Sequence, residues 1–104
     1  MKSIIEGKRY NTDTATIIGS AGYGGSRRDF EHWEADLYVT KSGRYFLAGS
    51  GGPMSQYSKS IGQNQWSGSE RIDPLSVEDA FAWAQRHLSA EKVQEYFSTM
   101  IEDA

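Results

Sequence analysis

The chain has 104 residues, of which 38% are hydrophobic, and it carries a formal net charge of −3. This length predicts one domain, residues 1–104, with a single hydrophobic core. Cysteine is absent, which excludes a disulfide framework, a cysteine-based zinc site and a thiol nucleophile. The opening MKSIIEGKRY is typical of neither a signal peptide nor a membrane span, so we expect a cytoplasmic protein without a membrane partner.

The first two-thirds of the chain predict strands and turns. Residues 3–11 predict a strand broken at Gly7, whose exposed edge is a candidate for pairing with a second copy. Residues 11–14 predict a turn, because Asn, Thr and Asp side chains bond their own backbone. Residues 14–19 are rich in β-branched side chains and predict a second strand.

The clearest strand pattern spans residues 32–40, where apolar and polar side chains alternate. We expect a three-residue turn with Gly43 in the left-handed conformation, because a two-residue turn would force Ser42 to positive φ. Val39 then lies opposite Tyr45 in the next strand. The predicted core face is Trp33, Ala35, Leu37, Val39, Tyr45 and Leu47, and the opposite face holds Tyr38 and Phe46.

Residues 50–69 form the longest segment without a clear periodicity. They are rich in Gly, Ser, Gln and Asn, and they predict an irregular loop that packs partly through its few apolar side chains. Residues 70–73 predict a last short strand. A loop of this length in a compact domain is often functional.

The last third of the chain predicts two helices. Ser76 is a good N-cap, with Asp79 three residues later as a variant of the capping box, and Ser89 begins the second helix. The predicted buried faces are Val77, Phe81, Ala84 and Leu88 in the first helix and Val93, Tyr96, Phe97, Met100 and Ile101 in the second. The fold class is therefore α+β: an antiparallel meander of four to five strands, followed by two C-terminal helices packed on one face.

Strand order predicts where a partner would bind. In a meander, successive connections lie at opposite ends of the strands. The glycine-rich segments 19–29 and 50–69 are separated by one other connection, so we expect them at the same end of the sheet. Aromatic and basic residues of the kind enriched in interface hot spots would gather there. The predicted partner-binding residues are Tyr23, Arg27, Arg28, Tyr57, Lys59 and Trp66.

Catalytic and cofactor motifs are not recognisable in this sequence. The GSGGPM segment lacks the lysine, the glycine spacing and the following helix of a nucleotide loop. His32 and His87 have no partner at metal-ligand spacing, and no Gly-x-Ser-x-Gly motif occurs. Glu34 and Asp36 share a strand face, as carboxylates on solvated strands often do. We therefore expect no enzymatic activity, no catalytic residue, no cofactor and no metal.

Charge is distributed unevenly along the chain. Residues 1–68 hold eight Lys or Arg against six Asp or Glu, whereas residues 69–104 hold three against eight. The acidic part is either a solvated helix face or a surface for a basic partner. Nucleic-acid binding would use the basic loops for phosphates and Tyr38 and Phe46 for stacking, although basic groups are few.

Four stretches together resemble a family of small bacterial proteins from prophages, plasmids and conjugative elements. They are GKRYNTDTA, DFEHWEADLYVTKSGRYFL, GSGGPMSQY and WSGSERIDPLSVEDAFAWAQRHL, and they cover roughly residues 7–97. The resemblance implies no catalytic or binding residues. It implies the context of a mobile element. By analogy with other small accessory proteins of such elements, we expect a protein that inhibits a host defence nuclease complex by protein–protein contact, as anti-CRISPR proteins do. The alternative is a small nucleic-acid-binding accessory protein.

Overall fold

The architecture is taken from a computed structural model, which describes residues 1–24, 31–52, 55–57 and 69–104 and, as backbone alone, residues 59–62 and 65–67. Within those residues the strands are β1 Lys2–Ile5, β2 Lys8–Asn11, β3 Thr16–Tyr23, β4 Trp33–Val39, β5 Tyr45–Gly51, β6 Lys59–Gly62, β7 Gln65–Ser67 and β8 Ser69–Leu75. The helices are α1 Val77–His87 and α2 Ala90–Phe97, followed by a 3₁₀ turn at Ser98–Met100.

The central sheet is an antiparallel meander in the order β3-β4-β5-β8, which confirms the α+β prediction. The β4–β5 hairpin has the register expected from its turn, with Val39 opposite Tyr45. The Thr40 amide donates to the Arg44 carbonyl at 2.8 Å, and Gly43 has φ 86°. Because Gly43 carries no Cβ, it takes this left-handed conformation at little cost.

Both faces of the sheet are covered, by different elements. The helices pack on one face around a core that includes Ile18, Leu37, Leu47 and Phe97. On the other face, the β1–β2 hairpin packs over a smaller cluster of Tyr10, Phe46, Ala48 and Ile72. The molecule therefore has three layers: helices, sheet and N-terminal hairpin.

The N-terminal segment differs from its prediction as one broken strand. It is a hairpin in which Ile5 pairs with Lys8 across a two-residue turn. Glu6 and Gly7 both have positive φ, 52° and 76°, as a type I′ turn requires. Glutamate is an uncommon residue at that position, which is why the turn is hard to recognise from the sequence.

Strand β3 is longer than predicted, since it runs past Gly19 to Tyr23. The extension pairs without interruption along β4, from Gly19 opposite Leu37 to Tyr23 opposite Trp33. A register shift between Ile17 and Gly19 marks a bulge. Most residues of this extension are small and have weak β-propensity. Its strand conformation therefore depends on pairing with β4 and not on local preference.

The N-caps of both helices are confirmed. The Asp79 amide donates to Ser76 Oγ at 3.1 Å, and the Lys92 amide donates to Ser89 Oγ at 3.3 Å. Among the described residues, neither helix has the length and apolar content needed to cross a bilayer.

The buried faces of the helices differ in part from the prediction. Ala80 and Ala84 are fully buried in α1, whereas Val77 is 38% exposed, because small side chains allow the helix to approach the sheet. Helix α2 ends at Phe97, and Ile101 is 41% exposed instead of buried.

Candidate macromolecule-binding site

Two long connections leave the sheet at the same end, as predicted. Trp33 pairs with Gly51, and Gly51 pairs with Ser69, so three strand ends lie side by side. The Gly52 amide also donates to the His32 carbonyl at 2.8 Å, which joins the two connections. We call this region the loop end of the sheet.

A two-stranded hairpin, β6–β7, leaves from the loop end, and we call it the ribbon arm. Lys59 pairs with Ser67 within it, and among the described strands β6 and β7 pair only with each other. One residue separates β7 from β8, so the outer strand of the sheet leads directly into the arm. The prediction of an irregular loop over residues 50–69 is therefore wrong. Ser, Gln and Gly dominate these short strands, and their β-propensity gives little signal.

The base of the arm is anchored to the sheet. Ser69 Oγ donates to the Tyr57 carbonyl, which joins the two chain segments just before β6 and just after β7. Arg71 donates to the Gln56 carbonyl at 3.0 Å, and its guanidinium also pairs with Asp73 at 2.9 Å. These bonds hold the segment before the arm against β8.

Tyr57 has a different position from the one predicted. We expected it on the partner-binding rim, but it is only 3% exposed and belongs to the helix-side core. Its ring occupies the space above Gly49, where a Cβ would overlap it, and the Arg71 guanidinium lies 4.9 Å from its centroid. Burial raises the pKa of Tyr57, the Asp73 carboxylate raises it further, and Arg71 opposes the shift. Tyr57 therefore anchors the base of the arm, and its buried ring leaves almost no surface for a partner.

The other predicted site residues divide into two groups. Tyr23 ends β3 at the loop end and is 56% exposed. Lys59 and Trp66 lie in the arm at neighbouring register positions, since Lys59 pairs with Ser67 and Trp66 pairs with Ser60. Arg27 and Arg28 lie outside the described residues.

The register also creates an acidic hollow that the sequence analysis did not predict. Glu34, Ser50 and Glu70 lie on adjacent strands at the same rung, so two carboxylates flank one serine. With His32, Gly51 and Ser69 they line a hollow of about 630 Å³ at the loop end. Three separate segments contribute to it, and only the sheet register could have revealed it. Within the described part of the chain, no His, Asp and Glu side chains are grouped to hold a metal ion.

The sheet aromatics do not form the exposed stacking face expected for single-stranded nucleic acid. Phe46 is fully buried, with Tyr10 edge-on at 5.5 Å and Tyr38 stacked at 5.1 Å between ring centroids. The N-terminal hairpin supplies Tyr10 and covers this face. Burial raises the pKa of Tyr38, with Asp36 and Asp13 adding to the shift.

His87 packs between aromatic rings near the end of α1. Its ring centroid lies 4.8 Å from that of Trp83 and 5.6 Å from that of Trp33. Burial lowers the pKa of His87, and Arg86 lowers it further. This histidine therefore serves as a packing residue between aromatic rings.

The loop end thus combines an anchored ribbon arm, an exposed tyrosine and an acidic hollow. Comparison with protein-family models, with curated proteins and with solved structures finds no match for this chain.

Proposed function

We propose that this chain is a non-enzymatic binding protein that recognises a host protein or ribonucleoprotein complex with the loop end of its sheet. The observation that supports this most directly is the ribbon arm with its anchored base. Tyr57, just before the arm in the chain, is buried in the core, and the hydrogen bond from Ser69 joins the chain segments on either side of the arm. An element whose base is ordered before binding loses less conformational entropy when a partner docks.

Residue chemistry at this end fits protein recognition. Trp66 and Lys59 lie in the arm, Tyr23 is exposed beside it, and Arg27 and Arg28 follow Tyr23 closely in the sequence. Trp, Tyr and Arg are the residues most often found as hot spots in protein interfaces. The acidic hollow at Glu34 and Glu70 adds negative charge to an end of the sheet that also has basic residues. A partner surface that carries both positive and negative charge would therefore be complementary to it.

The resemblance to proteins of mobile elements supports a specific class of partner. We propose that the partner is a host defence nuclease complex and that binding inhibits it, as anti-CRISPR-type proteins do. The acidic C-terminal third, residues 69–104, is a second candidate contact for the basic, nucleic-acid-binding surface of such a complex.

Nucleic-acid binding is the alternative, and the structure weighs against its expected mechanism. Phe46 is fully buried beneath the N-terminal hairpin, so it offers no face on which a base could stack. Binding would then depend on a small number of basic loop residues and would be strongly sensitive to salt.

Capture of the partner from a host lysate tests the proposal. The tagged full chain is compared with Trp66→Ala and with the double variant Arg27→Ala plus Arg28→Ala. The double variant Lys41→Ala plus Arg44→Ala is the matched control, because it removes two positive charges from exposed sites at the opposite end of the sheet. We expect both loop-end variants to bind a captured nuclease complex about 30-fold more weakly, as loss of a hot spot of ~2 kcal/mol implies.

Inhibition and nucleic-acid binding are then measured separately. The purified chain should reduce cleavage by the captured complex in a stoichiometric manner, and Trp66→Ala should not. Equal capture by the loop-end variants and by the control would contradict the loop end as the binding surface. Retention of the purified chain on single-stranded nucleic acid at physiological salt, without capture of a protein, would favour the alternative.

A further inference from the structure

The two outer strands of the central sheet differ in how their open edges are protected. Strand β8 carries Pro74 and three charged residues, Glu70, Arg71 and Asp73, which disfavour pairing with another strand. Strand β3 runs from Thr16 to Tyr23 without a proline or a charged residue. Its edge therefore lacks the proline and the charged side chains that protect β8, and its one irregularity is the bulge near Ile17.

Among the described residues, the outer side of β3 pairs with no strand. In the described part of the chain β4 is its one strand neighbour, and no turn or side chain there bonds its backbone groups. Two large apolar side chains on this strand are exposed, Ile17 at 47% and Tyr23 at 56%. Unpaired amide and carbonyl groups beside exposed apolar side chains are a template for another strand.

The bulge limits which part of β3 can pair regularly. The register shift lies between Ile17 and Gly19, whereas Gly19 to Tyr23 pair with β4 without interruption. These five residues read Gly-Ser-Ala-Gly-Tyr. A partner strand would therefore lie along this segment.

We propose that the β3 edge pairs in antiparallel fashion with β3 of a second copy, centred on Ala21. In this register Ala21 faces Ala21, Ser20 faces Gly22 and Gly19 faces Tyr23. Opposed residues share a sheet face, as antiparallel pairing requires. The Tyr23 ring of each copy then lies over Gly19 of the other, where the Leu88 side chain provides an apolar surface.

Two features point to a second copy as the occupant. The segment is uncharged, so two copies meet without repulsion, and the pairing closes with twofold symmetry. This pairing also joins the β3 edge of one copy to the β3 edge of the other. The result is a continuous eight-stranded sheet whose two outer strands are the β8 strands, one from each copy, which proline and charged residues protect. The two ribbon arms would then leave from opposite ends, so the dimer presents two partner-binding surfaces. In the dimer Tyr23 belongs to the interface between the copies, and each partner-binding surface is formed by the arm with Lys59 and Trp66.

Sedimentation equilibrium of the purified full chain tests the dimer without any host protein. Ser20→Lys places a charge on each copy within diagonal reach of the other. Ser98→Lys is the matched control, since Ser98 is also exposed but lies in the 3₁₀ turn after α2. We expect a wild-type dimer, a dissociation constant about fivefold higher in Ser20→Lys, which corresponds to repulsion of ~1 kcal/mol, and no change in Ser98→Lys. An equimolar mixture of Ser20→Lys and Ser20→Glu should recover the dimer.

Hydrogen exchange of the wild-type chain provides a second readout that does not depend on the folding of a variant. Alternate amides between Gly19 and Tyr23 should gain protection as protein concentration rises. A monomeric wild type, a dimer whose β3 amides gain no protection, or a dimer equally stable in Ser20→Lys and Ser98→Lys would overturn the proposal. So would a monomer whose β3 edge pairs with a strand of another protein.

Discussion

Tyr57 illustrates how a single residue couples the ribbon arm to the core. Its ring is buried against Gly49 in the central strand β5, and its carbonyl accepts the hydrogen bond from Ser69 that joins the two segments of the arm. A residue other than glycine at position 49 would carry a Cβ where the ring now lies. The position of the arm therefore depends on the absence of one side chain in the sheet.

Gly49→Ala should lower the free energy of unfolding by about 1–3 kcal/mol, the usual cost of overpacking a core. Urea denaturation measures this change. The same substitution in a Tyr57→Ala background should cost clearly less, because the ring with which the new methyl group collides has been removed. Equal costs in the two backgrounds would contradict the close approach of Tyr57 to Gly49.

At the scale of elements, the turn of the N-terminal hairpin holds one residue in a backbone conformation that its side chain disfavours. Glu6 has φ 52°, a left-handed conformation that residues with a Cβ adopt at a cost. Asn-Gly is the strongly favoured pair of residues in the type I′ turn that joins two strands in this way. Gly7 is already the glycine of that pair. The hairpin thus forms in spite of its first turn residue, which indicates that packing of β2 on the sheet stabilises it.

Glu6→Asn should raise the free energy of unfolding by about 0.5–1 kcal/mol, because asparagine tolerates the left-handed conformation better than glutamate. Thermal denaturation at constant pH and salt detects a change of this size. Glu6→Gln is the control: it removes the same charge but keeps a side chain that disfavours positive φ, so it should give no comparable gain. An equal increase in both variants would mean that charge, not backbone conformation, is responsible.

At the scale of the whole molecule, the N-terminal hairpin decides what the sheet can bind. Without it, Tyr38 and Phe46 would lie on an open sheet face, the arrangement expected for stacking single-stranded nucleic acid. With Tyr10 packed edge-on against Phe46, that face becomes part of the core. The surface left for recognition is then the loop end and the edges of the sheet.

Tyr10→Ala should destabilise the fold by about 3 kcal/mol, the cost of truncating a buried aromatic side chain. It should also expose apolar surface that binds a hydrophobic dye. Ile4→Ala is the control within the same hairpin, since Ile4 is 69% exposed, and it should change stability by no more than ~0.5 kcal/mol. Comparable effects of both substitutions, measured by urea denaturation, would mean that the hairpin does not pack through Tyr10.

Much of the fold can be read from the sequence where the signal is local. The alternation in residues 33–39, the turn with left-handed Gly43 and the caps at Ser76 and Ser89 each depend on residues only a few positions apart. Because a strand alternates with period two and a cap bonds an amide three residues later, a short window contains the whole pattern. The meander and the shared end of the two glycine-rich connections then follow from strand order.

The tertiary structure decided the features that depend on contacts between residues far apart in the sequence. Tyr57 is an aromatic residue in a polar, glycine-rich segment, and only its packing on Gly49 shows that it is buried. The acidic hollow combines Glu34 and Glu70 from separate strands through the sheet register, and Phe46 is hidden by a tyrosine 36 positions away in the chain. The sequence by itself determined the order of the central strands and the two helices, because local conformational preferences encode them, whereas the N-terminal hairpin, the extension of β3 and the ribbon arm depend on pairing that the local pattern does not show. Which side chains remain available to a partner was decided by contacts between elements that no local pattern records.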